Sequence, residues 1–358
     1  MSGQAKYVLV TGGAGFIGAN LADRLASEGH DVLVFDALAR PGVERNLRWL
    51  KSRHPRRIRT LIGDIRDPRA VTRAARDAVA AFHFAAQVAV TSSLTNPVED
   101  SDVNVRGTLN LLEALRHGGR QTPLIFASTN KVYGDLKDIP LEVVDDGYFP
   151  SEPAMHRQGV DESRPLQFHT PYGCSKGAAD QYVLDYAHSF DLPTCVLRMS
   201  CIYGPRQMGT EDQGWVAHFL IRALAGEPIT IYGDGRQVRD ILHVSDTVDA
   251  YLAAWRHIES VKGRAFNLGG GRSNAVSLRT LLRYIEHLLG REIDVTFEDW
   301  RPGDQRYYVS DASALRETLG LGAPKVDWRS GVAQLAAWLR QERASPLWST
   351  DQPAAAVS

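Results

Sequence analysis

The sequence predicts an α/β protein, a doubly wound parallel sheet with a smaller, interleaved C-terminal substrate lobe. Two observations carry this. Short apolar runs of the kind buried in parallel sheets alternate with helix-like stretches through the first half. After Gly204-Pro205 that rhythm breaks into shorter pieces rich in Gly and Pro. The apolar runs are Tyr7–Val10, Asp31–Phe35, Ile58–Ile62, Ala80–Phe84, Leu124–Ala127 and Thr194–Leu197. The helical stretches between them are Phe16–Glu28, Asn46–Ser52, Arg69–Asp77, Val98–Arg116 and Ser175–Phe190. These elements divide the chain into a first domain, 1–205, and a second lobe, 206–344, of which 237–258 returns to the first. The stretch 345–358, rich in Ala, Ser and Pro, is expected to be a frayed tail. The segment Leu136–Thr170 lacks a period and reads as a long functional loop.

Composition narrows the partners. The 358 residues carry 41 basic and 42 acidic side chains, a formal net charge of −1. No long basic block exists, which argues against nucleic acid. Arg53–Arg59 is locally basic and reads as a solvated helix end. Cys174, Cys195 and Cys201 are odd in number and lack metal-ligand spacing, so neither a disulfide framework nor a metal is expected. No signal-peptide core and no apolar run of about 20 residues is present, so a soluble cytoplasmic protein is expected.

The first apolar run leads into Gly12-Gly13-Ala14-Gly15-Phe16-Ile17-Gly18 and then a helix. Gly12 permits the turn, Gly15 lets backbone approach a pyrophosphate, and Gly18 lets helix and strand pack closely. The phosphates would meet the unpaired N–H groups at the helix N-terminus. The second run ends in Asp36, whose carboxylate can bond both adenosine ribose hydroxyls and repel a 2′-phosphate. A Rossmann-type domain binding NAD rather than NADP follows, although the nearby Arg40 could accommodate the extra phosphate. Asp64, after the third run, would lie at the adenine edge. Ala85, Ala86 and Gln87, after the fourth, would leave room for the middle of the cofactor.

Tyr172 and Lys176 stand four apart at a helix start and so face the same way. A tyrosine has a pKa near 10, but a neighbouring ammonium and a positive nicotinamide ring favour the phenolate. It could then accept a hydroxyl proton while hydride leaves for NAD. A third member, Ser128 or Thr129, ends the fifth run. His169 and His243 read as structural histidines, the latter leading into a capped helix.

These motifs resemble the extended short-chain dehydrogenase/reductase family of nucleotide-sugar enzymes. So do Asn104 to Thr108, Val132-Tyr133-Gly134, Tyr203 to Arg206, Gly233 to Asp240 and Arg301 to Asp304. The resemblance covers nearly the whole chain except the tail and selects Thr129 as the catalytic hydroxyl. It implies cofactor contacts from Gly12, Gly15, Phe16, Ile17, Gly18, Asp36, Arg40, Asp64, Ile65, Ala85, Ala86, Gln87, Asn104, Tyr172 and Lys176. It implies substrate contacts from Thr129, Asn130, Lys131, Cys201, Gln207, Arg239, Arg301 and Asp304, the two arginines for a diphosphate. Cys201 stands where the family usually has a substrate-binding Asn. The dehydratases of the family carry an Asp-Glu pair after the catalytic hydroxyl; here Asn130 and Lys131 occupy those places, so epimerisation is expected instead. The stretches Ala89–Pro97, Ser128–Asp135, Phe168–Gln181 and Asp212–Trp215 resemble members that epimerise C2 of CDP-sugars. A 4-epimerase of UDP- or CDP-sugars shares the same centre. An NAD-binding regulatory protein is the third reading, but it has no need of Thr129, Tyr172 and Lys176 together. The family commonly pairs two long helices across a dimer face. A homodimer or homotetramer is thus expected, with Val98–Arg116 and Ser175–Phe190 as the pairing helices.

Overall fold

The computed structural model describes residues 6–344, so the expected tail at 345–358 lies outside the described residues. Seven strands form the central sheet: β1 (Tyr7–Thr11), β2 (Val32–Asp36), β3 (Ile58–Ile62), β4 (Ala78–His83), β5 (Leu124–Thr129), β6 (Thr194–Met199) and β7 (Arg264–Leu268). They run in the order β7-β6-β5-β4-β1-β2-β3, every neighbouring pair parallel. This is the doubly wound sheet that the alternating runs predict. Central strands such as β1 and β5 are buried along their whole length, which is why they read as continuous apolar runs.

Each sheet face is covered by helices that bury one apolar stripe. Phe16–Ser27, Val43–Arg53 and Val244–Arg256 cover one face, through Leu21, Leu25, Leu50, Val248 and Tyr251. Pro68–Ala75, Gly107–His117 and Thr170–Phe190 cover the other, through Val71, Leu111, Leu115, Val183 and Tyr186. The second lobe has its own core, in which Trp215–Ala225, Leu278–Leu289 and Trp328–Ala344 pack around Phe219, Leu281, Ile285 and Leu335.

Three expectations change. The helix read over Val98–Arg116 is three pieces, Pro97–Ser101, a π-helical turn Asp102–Arg106 and Gly107–His117. Gly107 sits so close to Ile65 that a Cβ there would approach its Cγ2 to 2.6 Å. The Leu136–Thr170 segment is not structureless: it holds a hairpin, Leu141–Val144 with Gly147–Pro150, and a short helix, Pro153–Gln158, capped by Glu152. Its strands are only four residues each, and the first is mostly exposed, so neither shows a period. The return of the second lobe to the main sheet is longer than 237–258, because Arg264–Leu268 is the edge strand β7 and Ser313–Leu319 packs on it. The strand Val238–His243 instead centres a small sheet, between Ala275–Ser277 and both Tyr307–Tyr308 and Cys201–Tyr203.

Candidate active site

The site lies at the carboxyl ends of β1, β2, β4 and β5. Gly12 turns the chain at φ +66°, and a Cβ on it would stand 2.6 Å from the Ala85 nitrogen. A Cβ on Gly18 would strike the Gly12 carbonyl. Gly15, before the helix Phe16–Ser27, meets only the Gly12 oxygen, at 3.1 Å. The helix N-terminus, with the amides of Phe16, Ile17 and Gly18, has no side-chain cap and is left for an anion. Asp36 accepts from the Ala14 and Leu38 amides at 2.9 and 2.8 Å, which fixes its carboxylate beside the turn. The turn, which has no room for a side chain at Gly12 or Gly18, together with the fixed Asp36 carboxylate fits the pyrophosphate and ribose of a dinucleotide.

Other residues expected at the cofactor have visible structural partners. Arg40 donates to Gln213 of the second lobe, and burial lowers its pKa. Asp64 is clasped by Arg66, whose hydrogen bonds hold its carboxyl below the usual range. Ile65 is buried under Gly107. The Ala85 amide donates to Thr11 Oγ1 at 3.4 Å, and Ala86 follows it. Gln87 and Asn104 exchange two hydrogen bonds, and Asn104 Nδ2 also reaches Ser175 Oγ at 2.9 Å. Asn104 therefore ties the loop after β4 to the helix Thr170–Phe190.

Thr129 ends β5, and Tyr172 and Lys176 face it from the first turns of the helix Thr170–Phe190. All three are buried. Burial pushes the Tyr172 phenol up to about 12, a rise that the neighbouring Thr129 hydroxyl opposes and the Asp100 charge assists. Burial brings the Lys176 ammonium down to about 7, against the pull of Asp180 and Asp100. Its Nζ donates to the Ala127 carbonyl at 2.6 Å and stands 4.2 Å from the centre of the Phe126 ring.

Several residues here escaped the sequence reading. Asp100 is buried, binding Ser175 Oγ and Asn104 Nδ2. Asp180, fully buried, accepts from Ser128 and pairs with Arg198 at 3.0 Å. It lies four residues after Lys176, so the stripe of Tyr172, Lys176 and Asp180 could have revealed it. His83 bridges Thr11 at 2.7 Å and Thr108 at 3.0 Å, and burial lowers its pKa to about 3. Ser128 is accordingly part of the support beneath the helix.

The residues expected at the substrate gather around Gln305. Asn130 Nδ2 donates to Gln305 Oε1 at 3.2 Å, Gln305 Nε2 to the Gly134 carbonyl at 2.6 Å, and Arg239 to the Gln305 carbonyl. Lys131 donates to the Gly303 carbonyl at 3.0 Å and faces Asp304 at 3.8 Å. Burial lowers its pKa, a shift that Asp304 opposes and Arg239 assists, while burial raises that of the nearby Cys201 thiol. Arg239 donates to two carbonyls and makes no ion pair with a carboxylate among the described residues. Arg301 differs: it pairs with Glu211 at 2.8 Å and lies 3.6 Å from the centre of the Tyr232 ring. Gln207 turns inward to the Ile202 carbonyl, with a buried Oε1 left without a partner. His243 caps its helix through Ser245, and His169 faces Asp135 at 3.4 Å. Among the described residues no group of three or more His, Cys, Asp and Glu could hold a metal, and no helix is long and apolar enough to cross a membrane.

A dinucleotide cradle opening onto a Thr–Tyr–Lys centre defines an NAD-dependent enzyme of the short-chain dehydrogenase/reductase type. Residues 8–269 match the NAD dependent epimerase/dehydratase family, and the chain belongs to it. It is 42% identical over 338 residues to CDP-paratose 2-epimerase of Salmonella typhi, covering 92% of this chain and 98% of that one. Among solved structures it resembles UDP-glucose 4-epimerase of Thermotoga maritima with UDP-glucose, at TM-score 0.80 and 32% identity over 94% and 99% of the two chains. It also resembles the UDP-glucose 4-epimerase of Thermus thermophilus in complex with NAD, at TM-score 0.76 and 33% identity over 93% and 99%.

Proposed function

We propose that this enzyme epimerises C2 of a CDP-sugar, of the CDP-paratose to CDP-tyvelose or CDP-glucose type. The observation that carries the epimerase reading is the turn after Thr129. Asn130 and Lys131 stand where the dehydratases that the chain resembles carry an Asp-Glu pair to serve as acid and base, and the nearby Asp304 faces Lys131. The choice of C2 and of cytidine is supported by the 42% identity to CDP-paratose 2-epimerase.

When bound by Gly12, Gly15, Gly18 and Asp36, NAD supplies a hydride acceptor that can give the hydride back, and a positive ring that favours tyrosinate. Tyr172 takes the proton of the C2 hydroxyl, and Thr129 hydrogen-bonds the reacting oxygen. Lys176 lowers the tyrosine pKa and holds the nicotinamide ribose. The flat 2-keto carbon must then show its opposite face, so the sugar turns while Arg239 and Arg301 keep the diphosphate in place. Tyr172 returns the proton to complete the inverted alcohol. Asn130, Lys131, Cys201, Gln207 and Asp304 line the sugar side, while Arg40, Asp64, Ile65, Ala85, Ala86, Gln87 and Asn104 border the cofactor.

The test is product analysis by NMR on CDP-, UDP-, GDP- and dTDP-sugars, repeated in heavy water. Inversion at C2 with no deuterium incorporated is expected. Deuterium at C2 would replace direct oxidation with enolisation beside a C3 ketone. Inversion at C4 instead would establish the second reading, a 4-epimerase, favoured by the Thermotoga maritima structure with UDP-glucose. A cytoplasmic setting accords with three free cysteines. A homodimer or homotetramer accords with the exposed Val98, Tyr182 and Phe190 on the two expected pairing helices.

A further inference from the structure

An epimerase that oxidises and then reduces the same carbon must keep its reduced cofactor between the two transfers. The segment that opens the second lobe, Pro205 to Gln213, is fastened to the adenosine end of the cofactor cleft. Asn46 is almost fully buried, at 1% exposure, and its Nδ2 donates to two carbonyls at once. One belongs to Ala14 of the glycine turn and one to Arg206 of the second lobe, each at 3.1 Å. Asn20, on the helix that follows the turn, donates to the Pro205 carbonyl at 3.0 Å. Arg206 holds a left-handed backbone, φ +76°, with its guanidinium 4.1 Å from the centre of the Trp49 ring. Further along, Met208 lies against Gly42, where a Cβ would come within 3.0 Å of its Cγ, and Gln213 accepts from Arg40. Gly42 and Arg40 follow Asp36, so the segment crosses the chain that bounds the ribose pocket. Asn46 Oδ1 is buried without a partner among the described residues, beside the same turn.

We propose that Asn46 is a positioning residue. It straps Pro205–Gln213 over the adenosine end of the cleft, so that bound NAD is retained through both hydride transfers. The need for retention rests on the epimerase reading; the retention itself does not, and it is measured without substrate.

Holoprotein loaded with radiolabelled NAD is chased with excess unlabelled NAD, and the label still bound is counted after rapid desalting. Asn46→Ala should release NAD about tenfold faster than the unaltered chain, having lost both donor contacts. The double variant Met208→Ala, Gln213→Ala, confined to the strap, should also release it several-fold faster. Circular dichroism and the melting temperature of each variant separate faster release from unfolding. Should Asn46→Ala fail to fold, the double variant decides. Release at the unaltered rate from the folded variants overturns the proposal. If the sugar panel shows no inversion while release is accelerated, the epimerase reading fails and the strap stands.

Discussion

Two lysines flank the end of β5 and differ in how they are held. Lys176 and Lys131 are both drawn down in pKa by burial. Lys176 rests on the sheet itself, bonded to the Ala127 carbonyl of β5. Lys131 reaches instead to Gly303 and Asp304, 172 residues on in sequence for the first of these. The glycine turn, Asp36 and the Tyr172–Lys176 pair are thus built inside one βα framework, which the Pro205–Gln213 segment crosses, whereas the cluster proposed to meet the sugar exists only once distant loops have met. The first side can be shared by a family with many reactions.

The largest effect should come on the cofactor side. Lys176→Met should lower kcat about 10³-fold, since the phenol loses its charged neighbour, while KM for the sugar changes little. A loss confined to KM would erase the distinction between the two lysines. Arg239→Ala should raise KM about 30-fold, because this buried cation has no carboxylate partner among the described residues and would meet the diphosphate directly. Lys131→Met should raise KM about tenfold and leave NAD release unchanged. Steady-state kinetics paired with label release would show whether the substrate and cofactor sides are separable at all. Arg301→Ala should matter least, about threefold in KM, since Glu211 already neutralises its charge. If Arg301→Ala proved more damaging than Arg239→Ala, the assignment of the main diphosphate cation would have to be reversed.

Legibility follows the same division. Gly12, Gly18 and Asp36 were readable because their demands are local: a positive φ, a contact within one turn, an acid at a strand end. Tyr172 and Lys176 were readable from a spacing of four, and Asp180 continues that stripe. Asp100 was not, because an acid in a helical stretch reads as a solvated face unless its partner, Ser175, is known. The π turn at Asp102–Arg106 has no signature in the periodicity, yet it carries Asn104 to Ser175. Gln305 and Asn46 were silent for the same reason, their partners lying 175 and 160 residues away.

The glycine turn, the four-residue spacing of Tyr172 and Lys176 and the alternating strands were legible in the sequence alone, since each depends on neighbours within a few residues or on one βα repeat, whereas the choice of Thr129 over Ser128 came from the family resemblance. Only the tertiary structure decided that Arg239 lacks a carboxylate partner among the described residues while Arg301 is paired with Glu211. It also decided that Arg40 is turned to Gln213, and that Asn46 joins the cofactor turn to the second lobe. The physical reason is range. Backbone conformation and side-chain spacing act over a single element, whereas charge compensation and the pairing of buried polar atoms depend on whatever the fold brings alongside.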